Sequence, residues 1–163
     1  MKLSDLPEVE AEVYIAAAPD RVWALVTDLP RMGEWSPENM GGEWVSEGGP
    51  KQGALFRGRN HHPAVGEWET QSTVIALDEP RLFSWAVGDP ANPGATWRFE
   101  LVPEGDGTRV HQHVQIGPGP NGLTMAVQSM PDKEDRIVAR RQQEHTDNMS
   151  ATLAGIKAAA EAQ

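Results

Sequence analysis

Along residues 9 to 16, VEAEVYIA, apolar and polar positions alternate loosely, which predicts a strand. The period then lengthens. Val22, Leu25 and Val26 recur at helical spacing with Trp23 beside them, Ala18-Pro19-Asp20 supplies a helix entry with proline in the first turn, and Asp28, Leu29 and Pro30 end the run. A second short helix is predicted over residues 30 to 35. After Gly41-Gly42 the two-residue period returns and persists, with strand-like segments near residues 43 to 47, 53 to 61, 67 to 78, 82 to 88, 95 to 102 and 108 to 116. Turn signals such as SEGGPKQG, HHPAVG, LDEPR, GDPANPG and PEGDG separate them. With no helical segment in between, successive strands are expected to pair antiparallel as a meander.

Residues 117 to 131, GPGPNGLTMAVQSMP, break both periods. Their Gly-Pro start and the apolar Leu123, Met125, Val127 and Met130 predict a mobile lid carrying one helical turn. From Asp132 to about Ala160 the chain reads as one helix, with Asp132 as its cap and Glu134 and Asp135 at its positive end. On a helical wheel, Val138, Arg141, His145, Met149, Thr152, Leu153 and Ile156 fall within one stripe of about 120°. Two cationic-capable groups, Arg141 and His145, thus interrupt an otherwise apolar face.

Strand, two short helices, six strands and a long helix make an α+β chain. A seven-stranded antiparallel sheet needs one face covered, and the long helix is the element large enough to cover it. One domain over residues 1–163 is expected. The segments APDRVWALVTDLPRMGEWSP, GALFRGRN, EPRLFSWAVG, TWRFELVPEGDGTRVHQ and RRQQEHTDNMSATLAGIKAAAE carry a resemblance that runs through nearly the whole chain. In them the sequence resembles the START-like, or Bet v 1-like (SRPBCC), superfamily, specifically its polyketide cyclase/dehydrase and lipid-transport branch. The resemblance implies a helix-grip fold, a sheet wrapped around the C-terminal helix, with a cavity between them that the second short helix cradles at one end. Similar proteins include lipid carriers, hormone receptors and aromatase/cyclases, so it implies a fold before it implies a function.

If the aromatic phase of each strand is the buried one, Phe56, Gly58 and Asn60 point inward, then Trp68, Thr70, Ser72 and Val74. Phe83, Trp85 and Val87 follow, then Trp97, Phe99 and Leu101, then Val110, Gln112 and Val114. The candidate ligand-binding surface is therefore Phe56, Asn60, Trp68, Thr70, Ser72, Trp85, Trp97, Phe99 and Gln112 on the sheet, facing Arg141, His145 and Met149 on the helix. Asn60, Thr70, Ser72 and Gln112 set neutral polar groups among apolar ones. Each needs a partner inside, because a buried polar group left unpaired costs about 1–3 kcal/mol. A ligand hydroxyl or carbonyl, water, or a neighbouring side chain would serve. Trp23 is expected to anchor the first helix, whereas Trp35, just past a helix end, is expected to line the cavity as a further ligand-binding residue, with a plug of the core as the alternative.

Arg141 and His145 are the candidate catalytic residues. On a buried face they need solvent or a counter-charge, with Glu67 or Glu69 as the expected partner at the mouth, or else an acidic or enolic group of a ligand. His61 and His62, beside Pro63, read as a solvated turn; His111 and His113 fall on the outward phase without a third ligand for a metal. No nucleophile elbow, phosphate-binding loop or dinucleotide fingerprint is present, so no cofactor, metal or covalent mechanism is predicted. Fourteen basic against twenty-four acidic residues give a net charge of -10, which argues against nucleic acid and anionic membrane surfaces as partners. With no cysteine there is no disulfide or thiolate, and no apolar window reaches membrane-spanning length, so a cytoplasmic monomer or homodimer is expected. Two functions remain: a carrier or sensor of a hydrophobic small molecule such as a lipid, sterol or polyketide, and an aromatase/cyclase that folds a poly-β-ketone in the cavity while Arg141 or His145 assists enolisation and dehydration.

Overall fold

In the computed structural model, which describes residues 1–162, the chain runs β1 (Glu8–Ile15), α1 (Pro19–Val26), a 3-10 helix (Leu29–Glu34), β2 (Asn39–Trp44), β3 (Leu55–His62), β4 (Gly66–Asp78), β5 (Leu82–Val87), β6 (Ala95–Glu104) and β7 (Gly107–Ile116). A short α2 (Thr124–Ser129), a 3-10 turn (Pro131–Lys133) and the long α3 (Glu134–Glu161) complete it. Among the described residues seven strands form one antiparallel sheet in the order β1-β7-β6-β5-β4-β3-β2. The expected meander is β2 to β7; β1 closes the sheet by pairing with β7, with α1 and the 3-10 helix carrying the chain from one edge to the other. This is the helix-grip architecture, with α3 packed along β1 and crossed near its end by α1.

The sheet curls where its ladder slips. In β4 the register shifts between Val74 and Ala76, leaving Ile75 exposed and moving the inward phase from even to odd positions, so that Leu77 faces Phe83. Such bulges sharpen local twist, which bends a long strand around a central helix. A second slip, between Asn39 and Gly41, corrects one boundary: β2 begins at Asn39, ahead of the expected 43 to 47. The Gly41-Gly42 pair lies inside the strand because β3 approaches too closely for side chains. A Cβ on Gly42 would stand 2.5 Å from the Arg57 carbonyl oxygen, and Gly41 has φ of +112°.

Two other expectations at helix boundaries change. Asp132 does not cap α3; it lies in the preceding 3-10 turn, and Glu134 instead accepts the backbone N–H of Leu3 at 2.8 Å, tying the N-terminus to the helix start. The Gly-Pro segment is not free to act as a lid along its whole length. Gly117 and Gly119 are buried, and their N–H groups donate to the carbonyls of Gly94 and Pro93 at 2.7 and 2.8 Å. Only the stretch around α2 stands out, with Met125 78% exposed.

One end of the enclosed space is solid core. Val22, Trp23, Leu25 and Val26 of α1 pack with Leu153, Ile156 and Ala160 of α3 against Phe83, Leu101 and Val110. Trp23 sits edge-on to Phe83 with ring centroids 6.3 Å apart, the anchor role expected of it. Arg21 donates to the Ala160 and Ala159 carbonyls at 2.6 and 3.2 Å, satisfying acceptors that the end of α3 would otherwise leave open. Trp35 closes this end by lying on Gly155, where a Cβ would stand 2.7 Å from its Cβ and Cδ1. Gly155→Ala, favourable by about 1 kcal/mol in an unobstructed helix, is therefore expected to destabilise the protein by about 1–2 kcal/mol through overpacking. Urea unfolding measures it, and a stabilised variant would show that Trp35 moves aside at no cost.

Candidate functional site

The opposite end of the interior is less densely filled. Inward residues lie directly across from one another on successive strands: Phe56 and Ser72, Gly58 and Thr70, Asn60 and Trp68, Trp85 and Trp97, Phe99 and Gln112. The candidate sheet residues thus share one face, as the alternation predicts. Phe56, Phe99 and Ser72 are buried, while Trp68, Thr70, Asn60, Trp85 and Trp97 keep part of their surface accessible. Trp85 and Trp97 stack, centroids 6.3 Å apart and planes within 10°, and Trp97 meets the His145 ring edge-on at 5.3 Å. Met149, one turn along α3, packs with Val9 and Val114 beside Trp97. The aromatic wall of the sheet and the stripe of the helix therefore meet at Trp97. A hollow of about 190 Å³ at the far end of the β3–β4 ladder is bordered by Met40, Asn60 and Trp68 together with the outward-facing Arg59, Glu67 and Glu69, so it opens at the sheet's edge and is not enclosed by the wall. A larger one of about 540 Å³, between Arg21, Leu25 and Arg31 outside α1, touches none of this wall.

Arg141 ties three separate segments together at the edge of the wall. Its Nη1 and Nη2 donate to Glu38 Oε1 and Oε2 at 2.8 and 2.7 Å, and Nη1 also donates to Glu144 Oε1 at 2.9 Å. Glu144 Oε2 lies 3.2 Å from His62 Nε2 at the end of β3. The cluster corrects two expectations. Glu67 and Glu69 sit on the outer phase opposite His61 and Arg59 and do not reach Arg141, and His62 is no free solvated turn but continues the inward phase of Phe56, Gly58 and Asn60. Burial disfavours the Arg141 charge, yet hydrogen bonds and attraction from Glu38 and then Glu144 outweigh it and hold its pKa above the ordinary value. Burial likewise opposes ionisation of Glu144, but Arg141 and His62 together keep its carboxyl below the usual range.

His145 is the contrasting case. It is 6% exposed, forms no hydrogen bond among the described residues, and is pushed down to about 4, first by burial and then by the nearby Arg141 charge, against the weaker pull of Glu38 and Glu144. Near neutral pH it is an uncharged imidazole against Trp97. Gln112, also 6% exposed, has a fully buried Oε1 with no hydrogen-bond partner among the described residues. His111 and His113 point outward, as expected, and pair with Glu12 and Glu8.

A helix-grip frame with an aromatic interior is widely shared, and a match along the whole chain narrows it: the family model for polyketide cyclase / dehydrase and lipid transport fits residues 7–161. The chain belongs to the polyketide cyclase / dehydrase and lipid transport family. It is 32% identical to the Polyketide_cyc-like protein Cgl2372 from Corynebacterium glutamicum, over 92% of this chain and 88% of that one, with a TM-score of 0.67. The crystal structure of BexL, a di-domain ARO/CYC from the BE-7585A biosynthetic pathway, shares the fold at 17% identity with a TM-score of 0.73; the match covers 96% of this chain and 50% of that one. Ara h 8.0201 shares it at 12% identity, with 97% and 99% coverage and a TM-score of 0.60. No curated protein matches the chain.

Within this family member, the sequence reading missed Glu38 and Glu144. Glu144 was signalled by its i,i+3 spacing from Arg141, the separation at which opposite charges meet on a helix. Glu38 carried no local signal: it lies in the turn before β2, and its partner is 103 residues away.

Proposed function

We propose that this family member binds, and thereby carries or senses, a hydrophobic small molecule of lipid, sterol or polyketide type in the space between α3 and the curled sheet. The observation that carries the reading is the partly accessible Trp68, Trp85 and Trp97 wall, set on strands whose neighbouring Phe83 and Phe99 are fully buried. Apolar surface that the fold leaves uncovered is what a ligand would bury, at about 25 cal/mol per Å². The state of the two candidate catalytic residues supports binding over chemistry. Arg141 is already engaged by two carboxylates, and His145 lacks a hydrogen-bonded acid to fix its tautomer.

The aromatase/cyclase alternative draws support from the same unbonded His145 imidazole, uncharged and able to accept a proton beside Trp97, and from the ARO/CYC designation of BexL. Saturable quenching or blue shift of tryptophan fluorescence by fatty acids, sterols or aromatic polyketides is the expected result, together with a co-purified apolar ligand in native mass spectrometry. No response across the whole panel would count heavily against binding. A poly-β-ketone converted by the wild type and left unconverted by His145→Ala, with ligand affinity intact, would overturn the preference for a noncatalytic role.

A further inference from the structure

The inward face of β7 consists of Val110, Gln112 and Val114, and both valines are fully buried. Across the sheet Gln112 faces Phe99 on one side and Ala11 on the other. Neither side chain can donate a hydrogen bond. Its Oε1 is therefore a carbonyl acceptor taken out of water and left without a donor, which a protein interior rarely tolerates unless something else supplies one. The next inward pair along the same ladder is Val114 and Trp97, and Trp97 holds the His145 ring on its edge. The orphan acceptor thus borders the stacked Trp85–Trp97 surface on which a flat apolar skeleton would rest.

The charges nearby limit what that skeleton can carry. Arg141, the one cation on the inward stripe of α3, is held between Glu38 and Glu144, so these three groups together bear net negative charge at the edge of the wall. An anionic head group entering here would meet a carbonyl oxygen and two carboxylates without a free counter-ion. A ketone or ether oxygen can accept from the Gln112 amide N–H but leaves the buried Oε1 without a donor. A hydroxyl donates.

From this placement we infer that the ligand is a neutral, ring-containing molecule whose hydroxyl group donates to Gln112 Oε1, and that carboxylates such as fatty acids are discriminated against. His145, uncharged near neutral pH, offers no cation to reverse that preference. The inference rests on the binding role proposed above and adds to it the polarity of the ligand's buried end.

Isothermal titration calorimetry at pH 7 with 2-naphthol, naphthalene and 2-naphthoate tests it on the intact protein. 2-Naphthol is expected to bind about 10- to 100-fold more tightly than naphthalene, the range that pairing one buried acceptor implies, with 2-naphthoate weakest. Gln112→Met, which keeps the shape and removes the acceptor, should retain naphthalene binding and shrink the preference for naphthol to within about threefold. Equal affinity of the wild type for naphthol and naphthalene, or tightest binding of naphthoate, overturns the inference while leaving the binding role standing. Failure of all three to bind overturns the inference, whereas the binding role falls only if the fatty acid, sterol and polyketide panel also gives no response. The wild-type comparison needs no variant, so it holds even if Gln112→Met does not fold.

Discussion

Arg141→Met is expected to lower the stability of the protein by about 2–3 kcal/mol near neutral pH, because it leaves two carboxylates facing one another in a largely desolvated place. Glu38 and Glu144 are 16% and 28% exposed, and both take hydrogen bonds from the one guanidinium. Methionine preserves the stem's packing, so the loss reports the charge. The wild type itself depends on pH here: Glu144 is held below its unfolded pKa, so its contribution is present above the ordinary carboxylate range and is lost as pH falls through it. The gap between wild type and variant should accordingly narrow at acid pH. Arg141→Met combined with Glu38→Gln should recover part of the loss, since one of the stranded charges is gone. Urea unfolding of the three proteins decides the matter, and a single-variant loss under about 0.5 kcal/mol would place the cluster among ordinary surface ion pairs.

Acid should weaken the protein through His145 as well, over a separate range. A histidine near 6.5 when unfolded and about 4 when folded binds fewer protons in the native state between those values. Its contribution is complete above pH 6.5, declines as pH falls, and is gone below about 4, a total of about 3 kcal/mol at about 1.4 kcal/mol per pH unit. The groups facing it account for the direction: Arg141 opposes its protonation, and Glu38 and Glu144 favour it too weakly to offset burial. His145→Leu should therefore show a flatter stability profile between pH 6.5 and 4. The other four histidines are common to both proteins and cancel in the difference. Parallel slopes in the two proteins would mean that the imidazole takes up its proton freely where it sits.

How legible the site was in the sequence varies residue by residue. The stripe that placed Arg141, His145 and Met149 on one side of α3 follows from a 3.6-residue period that no packing can change, and those residues do turn toward the sheet. The inward phase of each strand was equally local, and it extended to His62, where the turn signal of His61-His62-Pro63 masked it. The boundary of β2 was misjudged because glycine marks a break and a close backbone approach with the same letter; only the position of Arg57 in β3 tells which applies. The Gly-Pro start of the 117 to 131 loop had the same ambiguity, resolved by its bonds to Pro93 and Gly94.

By itself, then, the sequence determined the kind of each element, the face each buries, the meander of β2 to β7 and the chemical character of the interior, since these depend on near neighbours along the chain. The tertiary structure alone decided that β1 pairs with β7, that Trp35 lies on Gly155, that Arg141 is claimed by Glu38 rather than by Glu67 or Glu69, and that Gln112 is left without a donor. The Arg141–Glu38 pair alone joins residues 103 positions apart. Periodicity states which way a side chain points and is silent on what arrives to meet it. The arrival depends on how far the sheet curls and where α3 crosses it, and both are settled only when the whole chain closes on one core.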